Sequence, residues 1–418
     1  MAILRQHSAL LIAAWLTAGC DEPSSQETVP PSTPDASECA DGFERTDSGG
    51  CVPILPDEPC PPGQMAVPGE TSCRPVAPCG AAPWGDIPID PAGQFVDASY
   101  PGTDSDGSSA HPWRTIGEAL LAASDGDVVA IAAGRYAEAV RIERPARLWG
   151  RCPELVVIAR EAADSDSALV VSASNVEVHQ LSVTGGRYPA VHVEEGPDVI
   201  LDRLWIHDVD NVGISVRLIA DPTGLTIRDT LVEQTASAGM QVFGGLEVER
   251  CVVRDQRSNA LGPGGAGIRA LPANMTVTPT PVEIRGSVLE RTLGQGVFSM
   301  STDLQVTGTV IRDIRPLDSK YGDGISVVGF EGNTSAEIRD SYVEGCERVA
   351  VAAFGADIFV GDTTLECNPI DLNGEQLLGS AADPVAFAFH DLQGNVCGCA
   401  AERWPCQLVS NGLAPPEP

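Results

Sequence analysis

The sequence predicts an all-β chain, a right-handed parallel β-helix solenoid of about eight coils with an N-terminal cap carrying one short helix, and Cys-rich flanks. Three observations lead there. Eight segments share one register of apolar residues, a second short strand recurs between them, and glycine directly precedes five of those second strands. The composition agrees, since 43 Gly and 33 Pro among 418 residues, 43% hydrophobic and 20% charged, describe a β-rich domain with poorly folded flanks.

Residues 1–19 read as a signal peptide. Arg5 precedes an apolar run over residues 9–16, and Leu16-Thr17-Ala18-Gly19-Cys20 is followed at once by Asp21, Pro23 and Ser24. That pattern resembles a bacterial lipobox, which implies a diacylglyceryl thioether on Cys20. The run is too short for a comfortable transmembrane helix, and small residues just before Cys suit cleavage. The alternative is an ordinary secretory signal cleaved near Ala18, with Cys20 incidental. No other stretch is long and apolar enough to span a bilayer. Several acyl chains on one residue would anchor the mature chain stably, each buried methylene adding about 0.8 kcal/mol. The chain has 13 Cys, and assigning Cys20 to lipid leaves an even number for a compartment that permits disulfides. The expected location is therefore the bacterial cell envelope, at the outer membrane or cell surface. Asp21 also resembles a signal that retains lipoproteins at the inner membrane in some bacteria, so the choice of membrane stays open.

Residues 20–38 carry the Cys and then a Ser, Thr, Pro, Glu and Asp tether with almost nothing apolar, which cannot form a core. Residues 39–93 hold Cys39, Cys51, Cys60, Cys73 and Cys79 among Gly, Pro and acidic residues. So little apolar surface needs disulfide staples, and this segment is expected to be a small stapled module or spacer.

The solenoid is expected over residues 94–370. Phe95-Val96-Asp97 reads as a short strand, Gly102-Thr103-Asp104-Ser105-Asp106-Gly107 as a loop, and Pro112-Trp113-Arg114-Thr115-Ile116 as the approach to a helix. Ile116, Ala119, Leu120 and Ala123 are spaced for one amphipathic helix that stops before Asp125-Gly126-Asp127. Strands follow at Val128-Val129-Ala130-Ile131, Gly134-Arg135-Tyr136 and Ala139-Val140-Arg141-Ile142. This stretch resembles the opening segment of secreted β-helices of the pectate-lyase-like superfamily. There the Gly-x-Asp loop and the Pro-x-x-Thr-Ile helix cap an end that would otherwise expose strand edges.

In the repeat, Val176-Glu177-Val178 leads to Val183, Val199-Ile200-Leu201 to Ile206, Leu225-Thr226-Ile227 to Val232, and Leu246-Glu247-Val248 to Val253. Val282-Glu283-Ile284 then leads to Leu289, Leu304-Gln305-Val306 to Ile311, Ala336-Glu337-Ile338 to Val343, and Ile358-Phe359-Val360 to Leu365. Apolar residues hold positions one, three and eight throughout. The second strands include Val191-His192-Val193, Ile214-Ser215-Val216, Met240-Gln241-Val242, Ile268-Arg269-Ala270, Val297-Phe298-Ser299 and Ile325-Ser326-Val327. Gly213, Gly239, Gly267, Gly296 and Gly324 precede five of them, where a tight corner is expected.

Position six is a column of small residues, among them Thr230, Cys251, Ser287, Thr309, Ser341 and Thr363, expected to stack and hydrogen-bond from coil to coil. Cys251 then reads as a buried thiol. Position nine alternates mostly in sign through Glu233, Arg254, Glu290 and Arg312 and reads as an exposed ion-pair ladder, each pair contributing about 0.2–1 kcal/mol. The repeat fades after Leu365, and residues 371–418 read as a Cys-rich cap and tail. Cys152, Cys346, Cys367, Cys397, Cys399 and Cys406 complete the disulfide candidates, with Cys346 near enough in register to pair with Cys367. Alternatively, Cys367 joins the terminal cluster.

Acidic residues outnumber basic ones 58 to 26, for a formal charge of −32, and the only Lys is Lys320. Nucleic acid and anionic lipid are poor partners for such a field. A polyanionic sugar polymer would also be repelled unless a divalent cation bridged the two. No zinc spacing, nucleophile elbow or phosphate loop is present. Asp104 and Asp106, alternating in a Gly turn, match the start of a calcium loop, although the rest of that pattern is missing. The connections over residues 254–281 and 312–335 are longest and predict a groove. Arg257, Asn259 and Arg269 would line one wall, Asp318, Lys320, Tyr321 and Asp323 the other, and Phe298 and Met300 the floor. Asp318, Lys320 and Asp323 are the local candidates for chemistry. The family resemblance implies polysaccharide lyase or glycoside hydrolase activity in such a groove, with a calcium-assisted base or paired carboxylates. No family catalytic motif matches position by position, so fold alone carries over. The leading functional expectation is a lipid-anchored, non-catalytic recognition or structural solenoid, working as a monomer on glycan, matrix or another surface protein. The alternative is the lyase or hydrolase.

Overall fold

The computed structural model describes residues 39–47, 50–89, 93–161, 166–194, 198–217, 224–258, 265–273, 279–330, 334–378, 383–399 and 402–416. Cys20, the signal segment, the tether and Asn259 lie outside the described residues.

Three long sheets account for nearly all strands. The first has twelve strands, from Gln94–Val96 to Ala388–Asp391. The second, also of twelve, runs from Gly134–Tyr136 to Val396–Cys399 and ends on the antiparallel strand Glu402–Trp404. The third has eleven, from Val140–Ile142 to Leu408–Val409. The chain visits the sheets in turn, and each strand pairs in parallel with its counterparts one coil before and after, which makes a parallel β-helix. The eight register segments are first-sheet strands, paired position for position, as in Val176↔Val199 and Val199↔Leu225. Stacking extends earlier, through Gln94–Val96, Val128–Ile131 and Ala146–Gly150, and one coil later, through the stretch read as a cap. Irregular connections hide these outer coils from the repeat. The hairpin Leu377–Leu378 with Pro384–Val385, for example, is inserted before the last one.

Positions one, three and eight fill the interior, so that Val178, Leu201, Ile227, Val248 and Ile284 stack beside Val183, Ile206, Val232, Val253 and Leu289. Two left-handed columns bend each coil. Position five (Gln180, Arg203, Asp229, Arg250, Gly286, Gly308, Asp340, Asp362) and position ten (Gly185, Asp208, Gln234, Asp255, Arg291, Asp313, Gly345, Cys367) all have positive φ and bracket the second sheet. Asp and Gly recur there because they tolerate that backbone best. Between them the position-six column behaves as expected. The backbone N–H of Cys251 donates to Ser287 Oγ (3.1 Å), Ser287 to Thr309 Oγ1 (3.4 Å) and Thr309 to Ser341 Oγ (3.3 Å). The glycine column arises from crowding rather than from a special φ. A Cβ on Gly267 would lie 2.6 Å from the Gly296 carbonyl oxygen, and one on Gly296 would lie 2.6 Å from that of Gly324.

The expected helix is Ile116–Ala122, N-capped by Thr115 in a capping box with Glu118. Among the described residues, disulfides join Cys39–Cys51, Cys60–Cys73, Cys79–Cys152, Cys367–Cys399 and Cys397–Cys406. Cys346 does not pair with Cys367. It points into the apolar interior as a free buried thiol, like Cys251, while Cys367 at its left-handed turn joins the terminal cluster.

Residues 39–89 do not stand apart from the solenoid. Phe43, Met65, Val67 and Val76 pack on Leu231, Val252, Val288, Val310 and Tyr342, an outward apolar column at position seven of the second sheet. This cover changes the reading of position nine, because Glu233, Arg254 and Glu290 are 2–3% exposed rather than solvated. Arg254 pairs with Glu233 at 2.7 Å and donates to the carbonyls of Pro61 (3.0 Å) and Gln64 (2.9 Å). Glu233 also accepts from the Gly63 N–H at 2.9 Å.

Candidate functional site

The outer faces of the three sheets differ in what they offer a ligand. The first carries exposed ion pairs such as Arg285 with Glu247 and Glu283, and Arg339 with Glu337. The second is covered. The third holds a groove of about 750 Å³. One column along it is His192, Ser215, Gln241 and Arg269, in register on successive coils. Beside it run Arg217, Phe243 and Leu271, with Met300 beyond. The four spacings between these five coils, about 4.8 Å each, give a face about 19 Å long.

Arg269 is the most enclosed of these groups. Its guanidinium lies 5.5 Å from the Phe298 ring centroid. Burial pulls its pKa below the ordinary arginine value, with the nearby Tyr321 acting the other way. A cation held in such a poorly solvated place interacts strongly with any anionic or polar group that reaches it.

The expected groove residues separate. Arg269 lines the groove and Met300 lies at its end, but Phe298 is fully buried beneath Arg269 and is not a floor a ligand can touch. Tyr321 lies under Arg348, 5.0 Å away. Asp323 is fully buried, bound by Arg348 Nε at 2.6 Å, and accepts from Ser326 Oγ at 2.6 Å, so it serves as a structural counter-ion. Asp318 and Lys320 sit on an exposed tight turn closed by Leu317 and Lys320 backbone bonds of 3.0 and 2.8 Å. Arg257 is spent on the carbonyls of Gln234 and Val209 and on Asp210. None of Tyr321, Asp323, Asp318, Lys320 and Arg257 lines the groove. The expected calcium ligands do not converge either. Asp104 accepts from Tyr100 Oη (2.8 Å) and pairs with His111 (3.0 Å), while Asp106 accepts from the Ser108 N–H (2.9 Å). Among the described residues no group of three His, Cys, Asp or Glu could hold a metal ion.

His192, Ser215, Arg217, Gln241, Phe243 and Leu271 were legible only as a column. Each follows an apolar residue that points inward, as in Met240-Gln241-Val242-Phe243, and period-two alternation puts it outside.

A second cleft, of about 630 Å³, lies where residues 74–78 meet the solenoid. Its charges neutralise one another. Asp202 contacts His179 (2.9 Å), Arg203 (2.7 Å) and Arg228 (3.0 Å), and Arg74 and Arg250 share Asp229 at 3.2 and 3.1 Å. Burial would raise the Asp202 pKa, but hydrogen bonds from His179 and Arg203 together with their charge hold it down to about 2. The cleft is thus a joint between the module and the solenoid.

Residues 100–149, the capping segment, match a family described as a protein of unknown function (DUF1565). A comparison with curated protein sequences finds no match. Among solved structures, the chain is similar to the A-module of Azotobacter vinelandii mannuronan C-5 epimerase AlgE4, at 14% identity and a TM-score of 0.50, over 66% of this chain and 80% of that one. It is also similar to XylC in complex with xylose, at 10% identity and a TM-score of 0.50, over 73% and 75% of the two chains. A pectate lyase, Pel9A, matches at 11% identity and a TM-score of 0.46, over 78% of each. The likeness is one of fold: this is a parallel β-helix.

Proposed function

We propose that this protein is exported, held to the cell envelope by lipid on Cys20, and binds an extended carbohydrate chain in the third-sheet groove without cleaving it. The observation that carries the reading is the make-up of the groove. Donors and acceptors from His192, Ser215, Gln241, Arg217 and Arg269 stand beside the apolar surfaces of Phe243, Leu271 and Met300. Such a pairing of hydrogen bonds with flat apolar contact suits sugar rings, whose edges are polar and whose faces are not. The described lining contains no carboxylate, whereas hydrolysis by paired acids requires two of them close together. Two proteins of similar fold are a mannuronan epimerase and one seen with xylose, which supports a saccharide as the ligand class. Five disulfides fit an oxidising compartment outside the cytoplasm.

The test is a glycan array on the soluble chain from Asp21 onward, with and without calcium, followed by product analysis on every hit. Gln241→Ala and Arg217→Ala should each weaken binding about tenfold, the effect of one or two lost hydrogen bonds, while leaving the melting temperature unchanged. Shortened or unsaturated products that accumulate with time would replace this reading with a lyase or hydrolase. Full binding by both variants would move the ligand elsewhere.

A further inference from the structure

The groove ends where a segment of the chain folds back across the same sheet. Beyond Arg269 the outward column continues through Phe298, Ser326, Ala352 and Asn373, with Val328, Phe354 and Glu375 beside it. Residues 410–416 cross this continuation. Glu375 gathers them, accepting from Ser410 Oγ (2.8 Å), the Asn411 N–H (2.9 Å) and the Leu413 N–H (3.1 Å). Arg348 donates to the Ala414 carbonyl at 3.2 Å. Leu413 packs, together with Phe330 and Leu377, on a cluster that contains Phe298, Val328 and Phe354, and Phe243 and Met300 of the open groove pack on that same cluster. One continuous surface is therefore open along one part and covered along the next.

We propose that residues 410–416 are a displaceable strap that closes one end of the groove and so limits the length of sugar chain the face accepts. The inference rests on the carbohydrate-binding reading. Apart from those hydrogen bonds the strap has little apolar anchorage. Ser410, Asn411, Gly412 and Ala414 are exposed, Leu413 is half-buried and Pro416 buried. Its root is firm, since the Cys397–Cys406 disulfide and the pairing of Leu408–Val409 with the last full coil lie before it. Moving the strap therefore leaves the end of the solenoid closed. A longer ligand that lifts it gains two further coils of face, about 10 Å.

The experiment compares the full chain with a chain ending at Val409 and with Leu413→Asp, which keeps the backbone. Ladders of xylo-oligosaccharides and oligomannuronates, from dimers upward, are titrated calorimetrically. In parallel, an apolar-surface dye is added with no sugar present. Short oligomers should bind all three proteins alike, and long ones should bind both variants about fivefold or more tighter than the full chain. Dye fluorescence should rise in both variants with the melting temperature of the solenoid kept. An identical length dependence in all three proteins would overturn the strap as a length limit while leaving the carbohydrate reading intact. No binding of any oligomer by any of them would overturn the carbohydrate reading itself, and the dye then decides the strap separately. A rise upholds a removable cover, and no change overturns it.

Discussion

The second and third sheets carry the same device on their outer faces and use it differently. The second presents Leu231, Val252, Val288, Val310 and Tyr342 to residues 39–89. The third presents Phe243, Leu271, Met300, Val328 and Phe354, covered at one end by Leu413, Phe330 and Leu377 and open at the other. The cover of the second sheet has two disulfides of its own and a third that ties it to Cys152. The segment over the third sheet has none. An outward apolar column on a solenoid thus marks a docking face, and the staples indicate whether its occupant is permanent.

The harshest way to break this contrast is to uncover the second sheet from within. Arg254→Ala removes the cation from a pair that is 2–3% exposed and leaves Glu233 charged beneath the module. Breaking one side of such a pair costs about 3–5 kcal/mol, whereas replacing both partners by apolar groups of similar size is far milder. Urea unfolding should show a large loss for Arg254→Ala and recovery of most of it in Arg254→Met with Glu233→Met. Limited proteolysis of the single variant should cut first within residues 39–89. A loss below about 1 kcal/mol would mean that the module is not locked through this pair.

Arg254 also shows why some of the molecule was legible in the sequence and some was not. Interior positions repeat because every coil needs an apolar residue there, so Val248, Ile284 and Val306 announce the fold by themselves. The hydroxyl column was legible for the same reason. Position nine was readable as a ladder but not as a buried one, since its burial depends on a segment about 190 residues away, as in the bond from Arg254 to Gln64. The signal that would have corrected it stands two residues earlier, where Leu231, Val252 and Val288 are apolar although they point outward. The groove was misplaced because loop length was weighed over the outward column. Asp318 and Asp323 lie on one of the two longest connections, but one is used in a turn and the other in a buried pair with Arg348.

The rim of the module offers a gentler test that sharpens the comparison by pH. Asp202 is buried in the joint with its carboxyl held at about 2, below the ordinary value of 3.8, so its contribution is present above about pH 4 and lost as pH falls through 2. Asp202→Asn should therefore cost about 2 kcal/mol near neutral pH, and the difference from the parent should shrink steadily below pH 4. Equilibrium unfolding across that range checks it. A pH-independent difference would assign the effect to packing rather than to the charge. No acid dependence of this kind is expected for Gln241→Ala on the open third sheet.

The smallest effect lies farther along the second sheet, where position nine is only partly buried. Glu344 and Glu366 are neighbours in register on adjacent coils, two like charges in a ladder that elsewhere alternates. Partial burial, followed by repulsion from Glu366, raises the Glu344 pKa, while a hydrogen bond from Tyr342 works against it. A raised carboxyl pKa means that the folded state prefers the protonated form. The cost is therefore absent in acid and sets in as pH rises through the folded-state value. Glu344→Gln should stabilise by a few tenths of a kcal/mol at neutral pH, since solvent screens a half-exposed pair, and by nothing near pH 3. Melting curves at the two pH values decide it. An equal gain at both would mean that the ladder tolerates like charges at this end as well as it tolerates opposite ones under the module.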